Sequence, residues 1–132
     1  MFRCLLVTGD KAVRDIVKVG LEQVGGFAVD TAEDAWAFEM VRAKTYQLVV
    51  ADTTLADGGD GMELLRTVRE TLPDAELLLV CRDAADRAAK ARDKAEFSVY
   101  SFLAHPIDAG DFFKTIARLV DRFSTRPAAA AA

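Results

Sequence analysis

Asp52 is the residue whose surroundings point to chemistry. It closes the apolar run Leu48-Val49-Val50-Ala51, and Thr53-Thr54-Leu55-Ala56-Asp57-Gly58-Gly59-Asp60-Gly61 follows, small, acidic and glycine-rich. So short and β-branched a run reads as a buried strand. A carboxylate at its C-terminal end therefore stands where open α/β sheets bind their ligands, placed to act as a nucleophile or a cation ligand. Several enzyme chemistries lack their partner groups. A phosphatase with a nucleophilic aspartate carries a second acid two residues on, and Thr54 holds that position. Thr8-Gly9-Asp10 offers one glycine where a phosphate loop needs several. His105 is the single histidine, which leaves no Ser-His-Asp set beyond chance. Cys4 and Cys81 lack metal-type spacing and lie in apolar runs, so they read as buried free thiols. Asp10 is read first as a helix N-cap and second as a displaced ligand; Asp57 and Asp60 offer either spare carboxylates or turn and cap groups.

The elements that must position Asp52 alternate five times. Strand-like segments are read at Arg3–Thr8, Phe27–Thr31, Gln47–Asp52, Glu76–Cys81 and Val99–Ala104. Helices are read at Lys11–Val24, Ala32–Lys44, Gly61–Leu72, Asp83–Glu96 and Asp108–Phe123. The first helix carries Val13, Ile16, Val17, Leu21 and Val24 on one face, and the last carries Phe112, Ile116, Leu119, Val120 and Phe123. In the second helix Ala35, Phe38 and Val41 are the expected inward residues, with Trp36 and Met40 an extra pair. The apolar side of the fourth is almost all alanine, which predicts the weakest packing of the five.

Such alternation implies an α/β fold, a (βα)5 flavodoxin-like three-layer sandwich with a parallel sheet of order 2-1-3-4-5. In that order the first and fourth strands are not neighbours, and Cys4 and Cys81 stand about 10 Å apart, too far for a disulfide. Residues 1–123 read as one domain and 124–132, ending in five alanines, as a linker or tail. The composition, 52% apolar and 29% charged with net charge −4, is that of an ordinary soluble globule. Scattered Lys and Arg argue against nucleic-acid binding, and no run is long enough to cross a membrane. A cytoplasmic location is the expectation.

Four stretches in order resemble the receiver domain of bacterial response regulators: Thr31-Ala32-Glu33-Asp34-Ala35, Tyr46 to Asp52, Asp60-Gly61-Met62-Glu63-Leu64-Leu65, and Phe102-Leu103-Ala104-His105-Pro106-Ile107. The resemblance implies that Asp52 is the phospho-acceptor and that Mg²⁺ binds beside it. It also implies two acids after the first strand, where Thr8 and Gly9 stand, leaving Asp52, the Thr54 backbone carbonyl and Asp10 as a thin metal set. Cys81 and Phe102 fall at the switch positions, normally Ser or Thr and an aromatic, and Tyr100 is expected on the same strand face as Phe102. His105 replaces a phosphate-contacting lysine, and Arg82 is a second candidate phosphate contact. Pro106 is the candidate cis-proline. Ala56 holds the place of a proline in the loop after Asp52.

Two functions follow from the resemblance, neither of them enzymatic. One is a receiver in two-component signalling whose Asp52 takes a phosphoryl group from a sensor histidine kinase. The other is a pseudo-receiver, a phosphorylation-independent interaction or dimerisation module. For the second, Phe97, Tyr100, Phe113 and the alanine-rich helix are a candidate partner surface, with a homodimer through the last helices and the fifth strand; ordinary core is the competing reading of the aromatics.

Overall fold

The structure is a computed structural model that describes residues 2–91 and 99–125. Five strands alternate with five helices: β1 (Phe2–Val7), α1 (Lys11–Val24), β2 (Phe27–Ala32), α2 (Trp36–Ala43), β3 (Leu48–Asp52), α3 (Gly61–Thr71), β4 (Glu76–Cys81), α4 (Ala84–Ala91), β5 (Ser101–Ala104) and α5 (Ala109–Thr125). The sheet is parallel, in the order β2-β1-β3-β4-β5. Every residue of β3 and β4 is buried, which is why both read as unbroken apolar runs rather than alternating ones.

The two sheet faces bury separate cores. Leu5, Val7, Val49, Ala51, Leu77, Leu79 and Cys81 point to the side covered by α2 and α3, where Val41, Leu64, Leu65 and Val68 meet them. Cys4, Leu6, Leu48, Val50, Leu78 and Val80 point to the side covered by α1 and α5, against Val17, Leu21, Phe112, Ile116 and Leu119. Each such aliphatic side chain contributes on the order of 2 kcal/mol by leaving water. Cys4 and Cys81 are both buried and free, and β3 lies between their strands.

Four elements differ most from the sequence expectation: β2, α2, β5 and α4. Ala32 finishes β2, opposite Val7, instead of opening a helix; Asp34 accepts from the Trp36 N–H and starts α2 four residues later. The phase then changes: Ala37 and Val41 are the buried residues, whereas Ala35 is exposed and Trp36 is 64% exposed. The fifth strand begins at Ser101, and Tyr100 lies before it, with its N–H donated to the Leu77 carbonyl. Strand alternation therefore does not reach Tyr100. It packs on the α1/α5 core while Phe102 packs on the other, so the expectation of one shared face is corrected. Along α4 the buried residue is Asp86, and Ala84, Ala85, Ala88 and Ala89 face outward. Alanine on every side gives a helix no apolar direction, and the carboxylate's partners decide its rotation. Residues 92–98, including Phe97 and the end of the expected fourth helix, lie outside the described residues, as do 126–132 of the tail.

Candidate functional site

The register aligns the C-terminal ends of the strands. Val7 pairs with Ala51, Asp52 with Val80, and Cys81 with Ala104. Asp52 is 7% exposed on this edge. Behind it the chain is held by the Thr53 N–H on the Val80 carbonyl at 3.0 Å and the Gly61 N–H on the Thr53 carbonyl at 2.9 Å. Gly61 is needed there: a Cβ would stand 1.8 Å from the Asp52 carbonyl oxygen. Asp60 caps α3 by accepting from the Met62 N–H, and Asp57 accepts from the Gly59 N–H, so both acids serve the local backbone. The Thr53 hydroxyl is buried without a hydrogen-bond partner among the described residues.

An open cleft of about 460 Å³ lies over Asp52, lined by Gly9, Asp10, Asp52, Thr54, Ala56 and His105. Thr8, almost fully buried, donates its hydroxyl to Asp52 Oδ2 at 2.9 Å. The same hydroxyl oxygen accepts the Asp10 N–H at 3.0 Å. His105 Nε2 stands 3.5 Å from Asp52 Oδ2, and its Nδ1 stands 4.0 Å from Asp10 Oδ2. Asp10 is the N-cap of α1, its Oδ1 accepting from the Ala12 and Val13 N–H groups at 2.8 and 3.2 Å. His105 is fixed through its own N–H on the Cys81 carbonyl at 3.0 Å, and the His105–Pro106 peptide is cis.

The structure thus brings Asp10, Asp52, Thr54 and His105 into one cleft and leaves three other sequence candidates outside it. Arg82 turns away: its N–H donates to Asp86 Oδ2 at 2.9 Å and its exposed guanidinium lies 3.6 Å from the same oxygen. It makes no phosphate-directed cation here, because the buried Asp86 carboxylate is the stronger local attraction. Cys81 is buried in the core on the α2/α3 side, and burial, followed by the negative charge of Asp86, pushes its thiol up to about 11. It stands as a neutral, weakly donating group. Phe102 is half-buried against the same core. The residue that motif spacing passed over is Thr8. In the sequence it registers as a neutral residue in an acid's place; the signal that identifies it is strand register, since the residue after Val7 must lie beside Asp52.

The donor set fits a divalent cation poorly. Among the described residues no group of three or more His, Cys, Asp or Glu side chains could hold a metal ion. Asp52 Oδ2 is already bonded to Thr8, and Asp10 gives one oxygen to its helix. Gly9 has no room for an acid: a Cβ on it would stand 2.9 Å from that of Ala56, whose loop is tied down by the Ala56 N–H on the Glu33 carbonyl. Mg²⁺ demands near-octahedral oxygen ligation and gives up its water reluctantly, and this edge supplies too few free anionic oxygens to displace it.

Residues 4–117 match the Response regulator receiver domain family. No curated protein matches the sequence. Among solved structures, a CheY-like response regulator receiver domain protein from Methanospirillum hungatei is similar at 22% identity with a TM-score of 0.78, covering 96% of this chain and 99% of that one. A response regulator from Burkholderia pseudomallei, solved with a phosphorylated aspartic acid, a calcium ion and citrate, is similar at 18% identity with a TM-score of 0.67, covering 96% and 76%. The response regulator DrrB of Thermotoga maritima is similar at 22% identity with a TM-score of 0.77; the match covers 93% of this chain and 54% of DrrB. At these identities the structural likeness shows the shared fold.

Proposed function

The chain belongs to the response regulator receiver domain family of two-component signalling, and on that premise we propose that it works as a pseudo-receiver, a protein-interaction module that signals without Mg²⁺-dependent phosphorylation of Asp52. The observation that carries this reading is the coordination of Asp52. Its Oδ2 is held by the Thr8 hydroxyl and faced by His105, where a phosphoryl acceptor needs a cation to neutralise charge as it develops. Phosphoryl transfer depends on positioning and electrostatic neutralisation, and a single lost electrostatic donor costs about 3–4 kcal/mol of transition-state stabilisation. In this reading the domain has no enzymatic activity, acts in the cytoplasm, and has proteins as partners: a sensor histidine kinase, another signalling protein, or a second copy through β5 and α5, where Phe113 is exposed.

The second reading is a phosphoryl-accepting receiver with Asp52 as the acceptor. Its support is the position of Asp52, at the end of a central strand and facing an open cleft. An amide NMR titration separates the two. In millimolar Mg²⁺, and then Mg²⁺ with beryllofluoride, the pseudo-receiver shows no saturable shift at Asp52. Saturable shifts centred on Asp52, reaching Cys81 and Phe102 and abolished by Asp52→Asn, would establish the second reading instead.

A further inference from the structure

We propose that Thr8 is a positioning residue: with His105 it closes a ring around the Asp52 carboxylate that ties the β5–α5 turn to the end of β1, and the ring needs no ligand to form. The proposal rests on the pseudo-receiver reading for its function, though not for its geometry. The ring runs from the Asp10 N–H to Thr8 Oγ1, from the Thr8 hydroxyl to Asp52 Oδ2, across to His105 Nε2, and from His105 Nδ1 back to Asp10 Oδ2, at 3.0, 2.9, 3.5 and 4.0 Å.

The direction of the two short bonds is fixed by valence. An amide N–H can only donate, so Thr8 Oγ1 accepts from Asp10 and its single hydroxyl proton is left for Asp52. Both side chains of that second bond are largely buried, and a hydroxyl bonded to a carboxylate away from water is among the stronger hydrogen bonds. The two longer separations place His105 between carboxylates on either side. The ring therefore joins the residue after β1, the last residue of β3, and the turn after β5. β4 enters through the Cys81 carbonyl, which accepts the His105 N–H. Three strand ends, those of β1, β3 and β5, thus meet at Asp52 Oδ2, and the fourth, that of β4, is tied in through the His105 backbone. Asp52 serves here as a structural keystone, and the state of the β5–α5 turn depends on the Thr8 hydroxyl three strands away in the order β1-β3-β4-β5.

The test compares Thr8→Val and Thr8→Ser in the full chain by NMR, without Mg²⁺ or beryllofluoride. Thr8→Val keeps shape and removes the donor; Thr8→Ser restores it. The expected result is a shift of the Asp52 carboxyl carbon and the His105 and Ile107 amides in Thr8→Val, with roughly five- to tenfold faster hydrogen exchange at the His105 N–H, the scale of one net hydrogen bond. Thr8→Ser returns all of these to their original values. Shifts confined to residues 6–12 and Asp52, with His105 exchange unchanged, would overturn the proposal and leave Thr8 a locally satisfied polar group. If Thr8→Val does not fold, Thr8→Ala carries the same test, because it too removes the hydroxyl donor and leaves Asp52 and His105 in place. Silence toward beryllofluoride is read on the unsubstituted chain, so the ring and the pseudo-receiver reading fail separately.

Discussion

α4 and α5 both neighbour β5, and they are held by different forces. α5 buries Phe112, Ile116, Leu119 and Phe123 in the core it shares with α1. Phe112 lies directly on Gly20 of α1, where a Cβ would stand 2.6 Å from its ring. α4, through its described residues, buries Asp86 and exposes its alanines. Asp86 Oδ2 accepts the Arg82 N–H at 2.9 Å, and Lys90 Nζ lies 3.7 Å from Oδ1. Burial alone would raise the Asp86 carboxyl. The Arg82 N–H, the Lys90 charge and the Arg82 guanidinium outweigh it and hold the group below the usual carboxylate range. Apolar packing of the α5 kind is non-directional and nearly indifferent to pH. The α4 attachment is directional and charge-dependent. α5 adds one ion pair to that packing, Arg122 Nε to Oε1 of the buried Glu76 at 3.2 Å, whereas the described part of α4 is oriented by charge alone, so α4 is the more sensitive of the two to solution conditions.

The largest effect should come from Phe112→Ala, about 3–5 kcal/mol of stability measured by chemical denaturation, since Gly20 brings no side chain to fill the void. A loss under about 1 kcal/mol would mean that α5 is not anchored as described. Asp86→Ala should cost about 2 kcal/mol, the scale of losing a hydrogen bond to a charged group, and speed amide exchange along α4 while leaving α5 protected. The pH dependence has a definite sign. With the folded carboxyl lower than the unfolded one, its contribution is whole above the ordinary aspartate value of ~3.9 and is lost as pH falls through the folded value. The acid limb of the stability curve below about pH 4 should therefore flatten in Asp86→Ala and keep its slope in Phe112→Ala. An unchanged limb would remove Asp86 from the account of α4. Lys11→Ala sharpens the contrast from the other end. Its i,i+4 partner Asp15 lies 3.0 Å away, but the two side chains are 85% and 57% exposed, so the change should stay within about 0.5 kcal/mol. A larger loss would mean that exposed pairs here carry what the comparison reserves for buried ones.

The α5 half of this contrast was legible from residue spacing. Phe112, Ile116, Leu119 and Phe123 recur at helical period, and Val13, Val17 and Leu21 of α1 answer them on the same side of the sheet. The continuous run Leu48–Ala51 marked a strand buried on both faces, and with it the place of Asp52 on the sheet edge. The α4 half was not legible. A helix of alanines and charges has no hydrophobic face to orient it, so the inward turn of Asp86 follows from partners that pattern does not register. The same limit governed the site. Asp10 could be read as a cap because capping is a local signal, confirmed by its bonds to Ala12 and Val13. Thr8 and Arg82 could not be assigned, because one depends on register between strands and the other on which anion lies nearest in space. Tyr100 went to the wrong face because one residue of strand length inverts the alternation.

The two buried cysteines have a practical consequence. Cys4 belongs to the core under α1 and α5, Cys81 to the core under α2 and α3, and burial raises both thiols, Cys81 to about 11 and Cys4 further. Each is inert until its own layer opens. The native chain therefore carries one masked reporter per layer, and the rates at which a thiol reagent modifies the two give the opening frequency of each side of the sheet without an added label.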